Sequence, residues 1–311
     1  DYTPDDAMGY VENTKKILVP MANEVSAIQT YRIPMEYDDA LSTIPWAVSL
    51  VDTNLGKVWN SMMEYGVHDF ESLPNKQSGG FTTTLYGYDT PFAYTNWAED
   101  LSSASTMIHE FGHFYDSWIR YDEDVVQNLD IAEVYSQGLE LLTSKYYEKF
   151  TEYPDEGRQA MLSRFINPLI YQLMLEEFQQ EVYKLETLDT ESIAQLYTDL
   201  LDEYGYGDPT SDDLDYTWYS ITHLFDAPFY TVSYWTSAVV ALQIWAESQD
   251  DWDAAAKLYM DMMNADQNQP FTQLVTSVGL KDPGDAAVLQ EIADNMLDAF
   301  DLSGSGLPNA A

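Results

Sequence analysis

The stretch from Ser105 to Trp118, STMIHEFGHFYDSW, carries HEFGH at positions 109–113 and constrains this chain more than any other segment. Residues four apart on a helix share one face a turn apart, so His109 and His113 can offer two imidazoles to one metal ion. Glu110 then sits beside them, placed to take a proton from a water that the metal activates. An ordinary amphipathic helix with two partly buried histidines produces the same five letters. The rest of the chain has to decide between the two.

Composition narrows the ligand chemistry. There is no Cys, which removes disulfides, thiolate ligands and a Cys nucleophile and leaves His and carboxylates to hold a metal. Lys and Arg total 13 against 53 Asp and Glu, a formal charge of -40, and such a field repels nucleic acid and anionic membrane surfaces. The acids are spread along the chain, which reads as a solvated surface and not an acidic tail. No run approaches the roughly 18 consecutive apolar residues of a membrane helix, so membrane insertion is not expected. Asp1 opens on YTPDDAM, without the basic segment and apolar core of a signal peptide.

Periodicity predicts a mainly helical chain. Residues 4–28 form a helix that Pro20 kinks or divides, and 37–65 a second with a kink or break at Pro45. FTTTLYGY and PFAYTNW then read as two strands joined by a turn around Gly87 to Pro91. The HEFGH helix is expected over 103–120, followed by the acidic link YDEDVVQN and a helix over 129–150. A long pattern from Asp155, bent or interrupted at Pro168, and a shorter helix ending at Gly205 follow. Beyond the loop YGDPTSDDLD comes the most aromatic stretch, divided by Pro228, and two more helices, DDWDAAAKLYMDMMN and DPGDAAVLQEIADNMLDAF. SGSGLPNAA, residues 303–311, reads as a disordered tail.

Hydrolytic zinc has three protein ligands and an open position for water, so the two histidines need a partner. His68 and His223 are distant in sequence, whereas NLDIAEVYSQGLELL supplies Glu133 on the next helix. Spacing alone does not single it out among 53 acids, but its neighbours Ile131, Ala132 and Val134 are apolar, unlike those of a solvated acidic face.

HEFGH followed by DIAEVYSQGLE resembles peptidase family M3, the zinc metallopeptidases of the thimet oligopeptidase and oligoendopeptidase F group. The family's third ligand lies in a D-x-x-E-x-x-S-Q pattern, here Asp130, Glu133, Ser136 and Gln137, and the resemblance assigns Glu133 as the third ligand of one zinc ion. A related carboxypeptidase family shares HEFGH but uses HESQ, which is absent. Upstream, LPNKQSGGFTTTL and PFAYTNW are similar to the family segment that lies along the substrate. Gly79, Gly80 and Phe81 are the substrate-binding candidates, the glycines letting a peptide backbone approach and pair as an added strand; a plain turn or bulge accounts for them equally. Downstream, THLFDAPFYTVSYW is similar to the oligoendopeptidase F segment in which a His and Tyr residues face the metal. His223 fits that histidine, and Tyr230 and Tyr234, four apart on one helical face, are alternatives for donating to an oxyanion. Asp116 and Asp130 are candidates to orient the histidines.

The resemblance implies a multi-helix zincin-type catalytic domain over residues 1–302, with a small sheet or hairpin beside the HEFGH helix. It implies a zinc metalloendopeptidase acting on short peptides with Glu110 as general base. The alternative is a catalytically incompetent, metal-containing peptide-binding module, because the helical N-terminal half that walls the family's substrate channel is not among these residues. That half, a candidate partner from the same precursor, is expected to have been removed, to lie in another chain, or never to have existed. Composition points to export and family habit to the cytoplasm, so localisation stays open.

Overall fold

The computed structural model describes residues 2–25, 32–120, 128–208 and 213–300. The expected tail, most of the acidic link and the middle of the loop after Gly205 lie outside the described residues.

α1 (Pro4–Asn13) starts from a reciprocal cap: the Thr3 hydroxyl accepts from Asp6 N, and the Asp6 carboxylate accepts from Thr3 N. A π turn, Thr14–Leu18, leads into α2 (Val19–Val25), so Pro20 follows a widened turn, and the expected last residues, 26–28, lie outside the described residues. α3 (Tyr37–Val51) keeps Pro45 inside it, and the break before α4 (Thr53–Tyr65) falls at Asp52. Proline costs a helix one N–H bond, whereas Asp52 is extended and its carboxylate accepts from Asn54 N at 2.7 Å, which starts a new helix.

The strands are β1 (His68–Asp69), β2 (Gly80–Leu85) and β3 (Thr90–Thr95), in the order β1-β3-β2. β2 runs antiparallel to β3, with Gly80 opposite Thr95 and Leu85 opposite Thr90. β1 lies parallel to β3 and was not expected, since two residues carry no readable period. β3 buries alternate residues Pro91, Ala93 and Thr95 and packs against α5 (Leu101–Ile119).

α6 (Leu129–Thr143) ends sooner than expected, passing into a 3-10 turn at Ser144–Lys149. α7 (Pro154–Ile166) and α8 (Gln172–Val182) are joined by a second π turn, Asn167–Tyr171, which takes up Pro168. α9 (Thr190–Glu203) and the short α10 (His223–Asp226) precede α11 (Thr231–Asp250), α12 (Trp252–Met263), an unforeseen α13 (Phe271–Ser277) and α14 (Ala286–Phe300).

One contiguous apolar core runs from Ala7 to Phe300, and α6 is its centre, packed between α5 and α11. Gly112 sets the α5–α6 spacing: a Cβ there would lie 2.4 Å from Tyr135 O, so only glycine lets the backbones meet. From the other side, the Tyr259 hydroxyl of α12 donates to that same carbonyl at 2.8 Å. No helix among the described residues is long and apolar enough to cross a membrane. The fold is therefore mainly helical, with a small sheet beside the HEFGH helix.

Candidate active site

α5 is capped by Asp100, whose carboxylate accepts from Ser103 N at 2.9 Å, and its register turns His109 and His113 to the side facing α6. α6 presents Glu133 to both. Glu133 Oε2 lies 3.3 Å from His109 Nε2 and 3.4 Å from His113 Nε2, and the Ser136 hydroxyl donates to the same oxygen at 2.7 Å. Among the described residues this is the one group of three acids or histidines whose ligand atoms all lie within 4.8 Å of one another.

These donors suit a zinc ion. Two atoms each about 2.1 Å from one tetrahedral centre lie about 3.4 Å apart, the separation seen here, and two imidazoles with one carboxylate form a donor set of the hydrolytic kind. Burial alone would lower the His109 pKa, but the carboxylates of Glu133 and Glu140 against it hold it well above the ordinary value. Burial would likewise raise Glu133, yet His113 and His109 outweigh it and keep the carboxyl well below its usual range.

Glu140 is the site residue that the sequence reading missed. Its Oε1 lies 2.7 Å from His109 Nδ1, while Oε2 accepts from Ser105 Oγ at 2.6 Å and pairs with Arg164 at 3.3 Å. The signal was present: Glu140 stands seven residues after Glu133, two turns along the same helix face.

Glu110 is buried, which raises its pKa above the usual carboxylate value. β2 holds it, because the Thr82 hydroxyl donates to Glu110 Oε2 at 3.0 Å and to its backbone oxygen at 2.8 Å. Gly80 meets the same carboxylate, and a Cβ there would lie 2.6 Å from Glu110 Oε1. Gly79 adopts a positive φ of 89°, and Phe81 is exposed and stacks on Tyr94 at 4.6 Å. β2 is an edge strand of the sheet, so one side of its backbone is turned away from β3.

His223, Tyr230 and Tyr234 come together. The Tyr234 hydroxyl is 3.3 Å from His223 Nε2, and the Tyr230 ring packs edge-on against both. Phe229, at φ 65°, makes the turn that starts α11 just after it. Tyr234 lines the same cavity as His109 and Glu133, and burial raises its pKa, which keeps the phenol protonated.

The two aspartates sit further out. Asp116 Oδ1 accepts from Arg120 at 2.7 Å and Gln267 at 3.2 Å, with His113 within electrostatic reach. Asp130 Oδ1 accepts from Tyr2 at 2.8 Å and Ser233 at 2.7 Å, tying the start of α6 to α1's approach and to α11.

The sequence profile of peptidase family M3 matches residues 46–294, a span that takes in every one of these site residues from Gly79 to Tyr234. The chain belongs to peptidase family M3. Oligopeptidase PepF of Bacillus subtilis is 24% identical over 244 residues, covering 73% of this chain and 36% of its own length. An oligoendopeptidase F homolog of Lactococcus lactis is 24% identical over 250 residues, 75% of this chain and 41% of its own. This M3 chain thus spans about two fifths of the length of these curated relatives. Its fold is similar to PZ peptidase A solved with an inhibitor (TM-score 0.84, 20% identity, 97% of this chain and 59% of that one). It is also similar to oligoendopeptidase F from Enterococcus faecium (TM-score 0.61, 14% identity, 96% of this chain and 52% of that one).

Proposed function

We propose that this M3 chain is a zinc-dependent endopeptidase that hydrolyses peptide bonds in short peptides. The observation that carries the reading is the meeting of His109 Nε2, His113 Nε2 and Glu133 Oε2, with buried Glu110 next to them in the chain. A bound zinc ion supplies Lewis acidity, lowering the pKa of water and polarising the scissile carbonyl.

The protein's own residues handle the protons. Thr82 occupies Glu110 Oε2, so Oε1 is the atom to take a proton from water as its oxygen attacks the carbonyl carbon. Glu110 then returns that proton to the leaving nitrogen as the C–N bond breaks, giving a carboxylic acid and an amine. Its raised pKa suits both halves of the cycle. Tyr234, with Tyr230 and His223 beside it, donates to the oxygen that gains charge, and the loss of one such donor costs on the order of 100- to 1000-fold. The outer edge of β2 offers main-chain groups to an extended peptide.

The test is metal analysis with cleavage of a quenched peptide by the unsubstituted chain and by Glu110→Gln. One zinc per chain is expected in both, with turnover in the variant down by about 100- to 10,000-fold. Full activity in the variant sinks the mechanism. A second reading, a metal-containing peptide-binding module without turnover, is separated by the same assay: full zinc occupancy and peptide binding with no cleavage would support it.

A further inference from the structure

The cavity lined by His109 and Glu133 has a volume of about 260 Å³ and a second wall, made by Gln137 of α6, Arg164 of α7, Asn167 of the π turn and Gln172 of α8. Gln137 is one turn beyond Glu133 and only 7% exposed, and no donor among the described residues reaches its Oε1. Gln172 Oε1 is buried and equally without a donor, while its Nε2 stands 3.5 Å from Asn167 Oδ1. Buried amide oxygens are seldom left unpaired, so two such oxygens on residues that line one cavity are vacant acceptors for N–H donors from outside the chain. The π turn is what carries Asn167 and Gln172 to this wall, and such turns recur at binding sites.

Arg164 adds a charge. It is the one Lys or Arg among the described residues lining the cavity, in a chain of formal charge -40. Its side chain is 39% exposed, and its ion pair uses one terminal nitrogen, 3.3 Å from Glu140 Oε2. A guanidinium has five N–H groups in a fork that fits a carboxylate, so the pair with Glu140 leaves most of that capacity for another partner. A metal cation could satisfy the two glutamine oxygens, but the guanidinium beside them repels it. A peptide meets both demands at once, with N–H donors on its backbone and a carboxylate at its C-terminus or on an acidic side chain.

We infer that Gln137, Arg164 and Gln172 form a substrate subsite for a peptide carboxylate, Arg164 binding the carboxylate and the two glutamine oxygens accepting peptide N–H groups. This rests on the peptidase reading for its ligand class but not for its test. Binding is measured by fluorescence polarisation on the zinc-loaded Glu110→Gln chain, which needs no turnover. The probes are a dye-labelled hexapeptide with a free C-terminus, its C-terminal amide, and the amide carrying Glu or Gln at one internal position.

One charged probe is expected to bind roughly 10- to 100-fold more tightly than its uncharged counterpart, the margin of a charge-assisted hydrogen bond. Which pair shows the difference tells a C-terminal carboxylate from a side-chain one. Arg164→Gln should erase that difference without changing the uncharged probes, and Arg164→Lys should restore part of it. Gln172→Leu should weaken all probes alike. Zinc content, measured in each variant, separates loss of the subsite from loss of the donors. No preference for either carboxylate, or a preference that survives Arg164→Gln, overturns the subsite. Absence of cleavage by the unsubstituted chain overturns the peptidase reading and leaves the binding result to stand by itself.

Discussion

Glu140 Oε1 lies 2.7 Å from Nδ1 of His109, while Nε2 of the same ring faces Glu133. A carboxylate can only accept there, so Nδ1 keeps its proton and Nε2 is the nitrogen that gives up a proton and offers its lone pair when a metal binds. Ser105 and Arg164 hold the other Glu140 oxygen, which fixes the plane of the pair. Glu140→Gln is therefore expected to lower zinc affinity by about 10- to 100-fold while the fold is kept, as read by competition with a chelator of known affinity and by circular dichroism. Unchanged zinc affinity would show that the ring needs no such support.

Gly80 makes a different demand. A Cβ at this position would sit 2.6 Å from Glu110 Oε1, so Gly80→Ala has to push the carboxylate aside. Zinc content should be unaffected and kcat should fall about 100-fold, part of what a misplaced general base costs. Steady-state kinetics beside metal analysis checks this, and a variant that loses zinc along with activity would tie Gly80 to the donors.

The two tyrosines can be told apart. Tyr234 lines the cavity with His109 and Glu133, and Tyr230, outside that lining, packs against it at 4.9 Å between ring centres. Tyr234→Phe is expected to lower kcat on the order of 100-fold or more with little change in KM, and Tyr230→Phe to lower it far less. Equal losses would mean that the two hydroxyls act together.

Metal loading should depend on pH in a definite direction. Without metal, burial works against the charged His109 ring, but Glu133 and Glu140 hold its pKa well above the ordinary value of 6.5; Glu133 is held well below its ordinary range by His113 and His109. The histidine's stabilisation is then complete below about pH 6.5 and lost as pH rises through the raised value. That of the glutamate is present above the ordinary carboxylate range and lost as pH falls through the lowered value. A metal needs Nε2 unprotonated, so zinc binding at pH 7 should release a proton and tighten as pH rises. Calorimetric titrations in two buffers of different ionisation enthalpy give the proton count, and a count of zero would contradict the charge assignment.

Much of this was legible because it is local. The four-residue spacing of His109 and His113, and of Tyr230 and Tyr234, follows from helix geometry, and the hairpin of β2 and β3 follows from its β-branched and aromatic runs. Proline was read less well. Pro45 stayed within α3, and Pro20 and Pro168 are taken up at π turns, because whether a lost N–H bond breaks a helix depends on what packs against it. α13 and the two-residue β1 are too short to show a period.

By itself the sequence determined the donor types, the helix that carries two of them and the mainly helical class, since these depend on spacing along one chain. It proposed Glu133 through a resemblance in pattern. Only the tertiary structure decided that α5 and α6 approach closely enough at Gly112 for Glu133 to reach both imidazoles, that Glu140 stands behind His109, and that Thr82 and Gly80 of β2 grip Glu110. Those are contacts between residues 20 to 31 positions apart, and no period along the chain encodes them. They follow from which faces the buried core brings together.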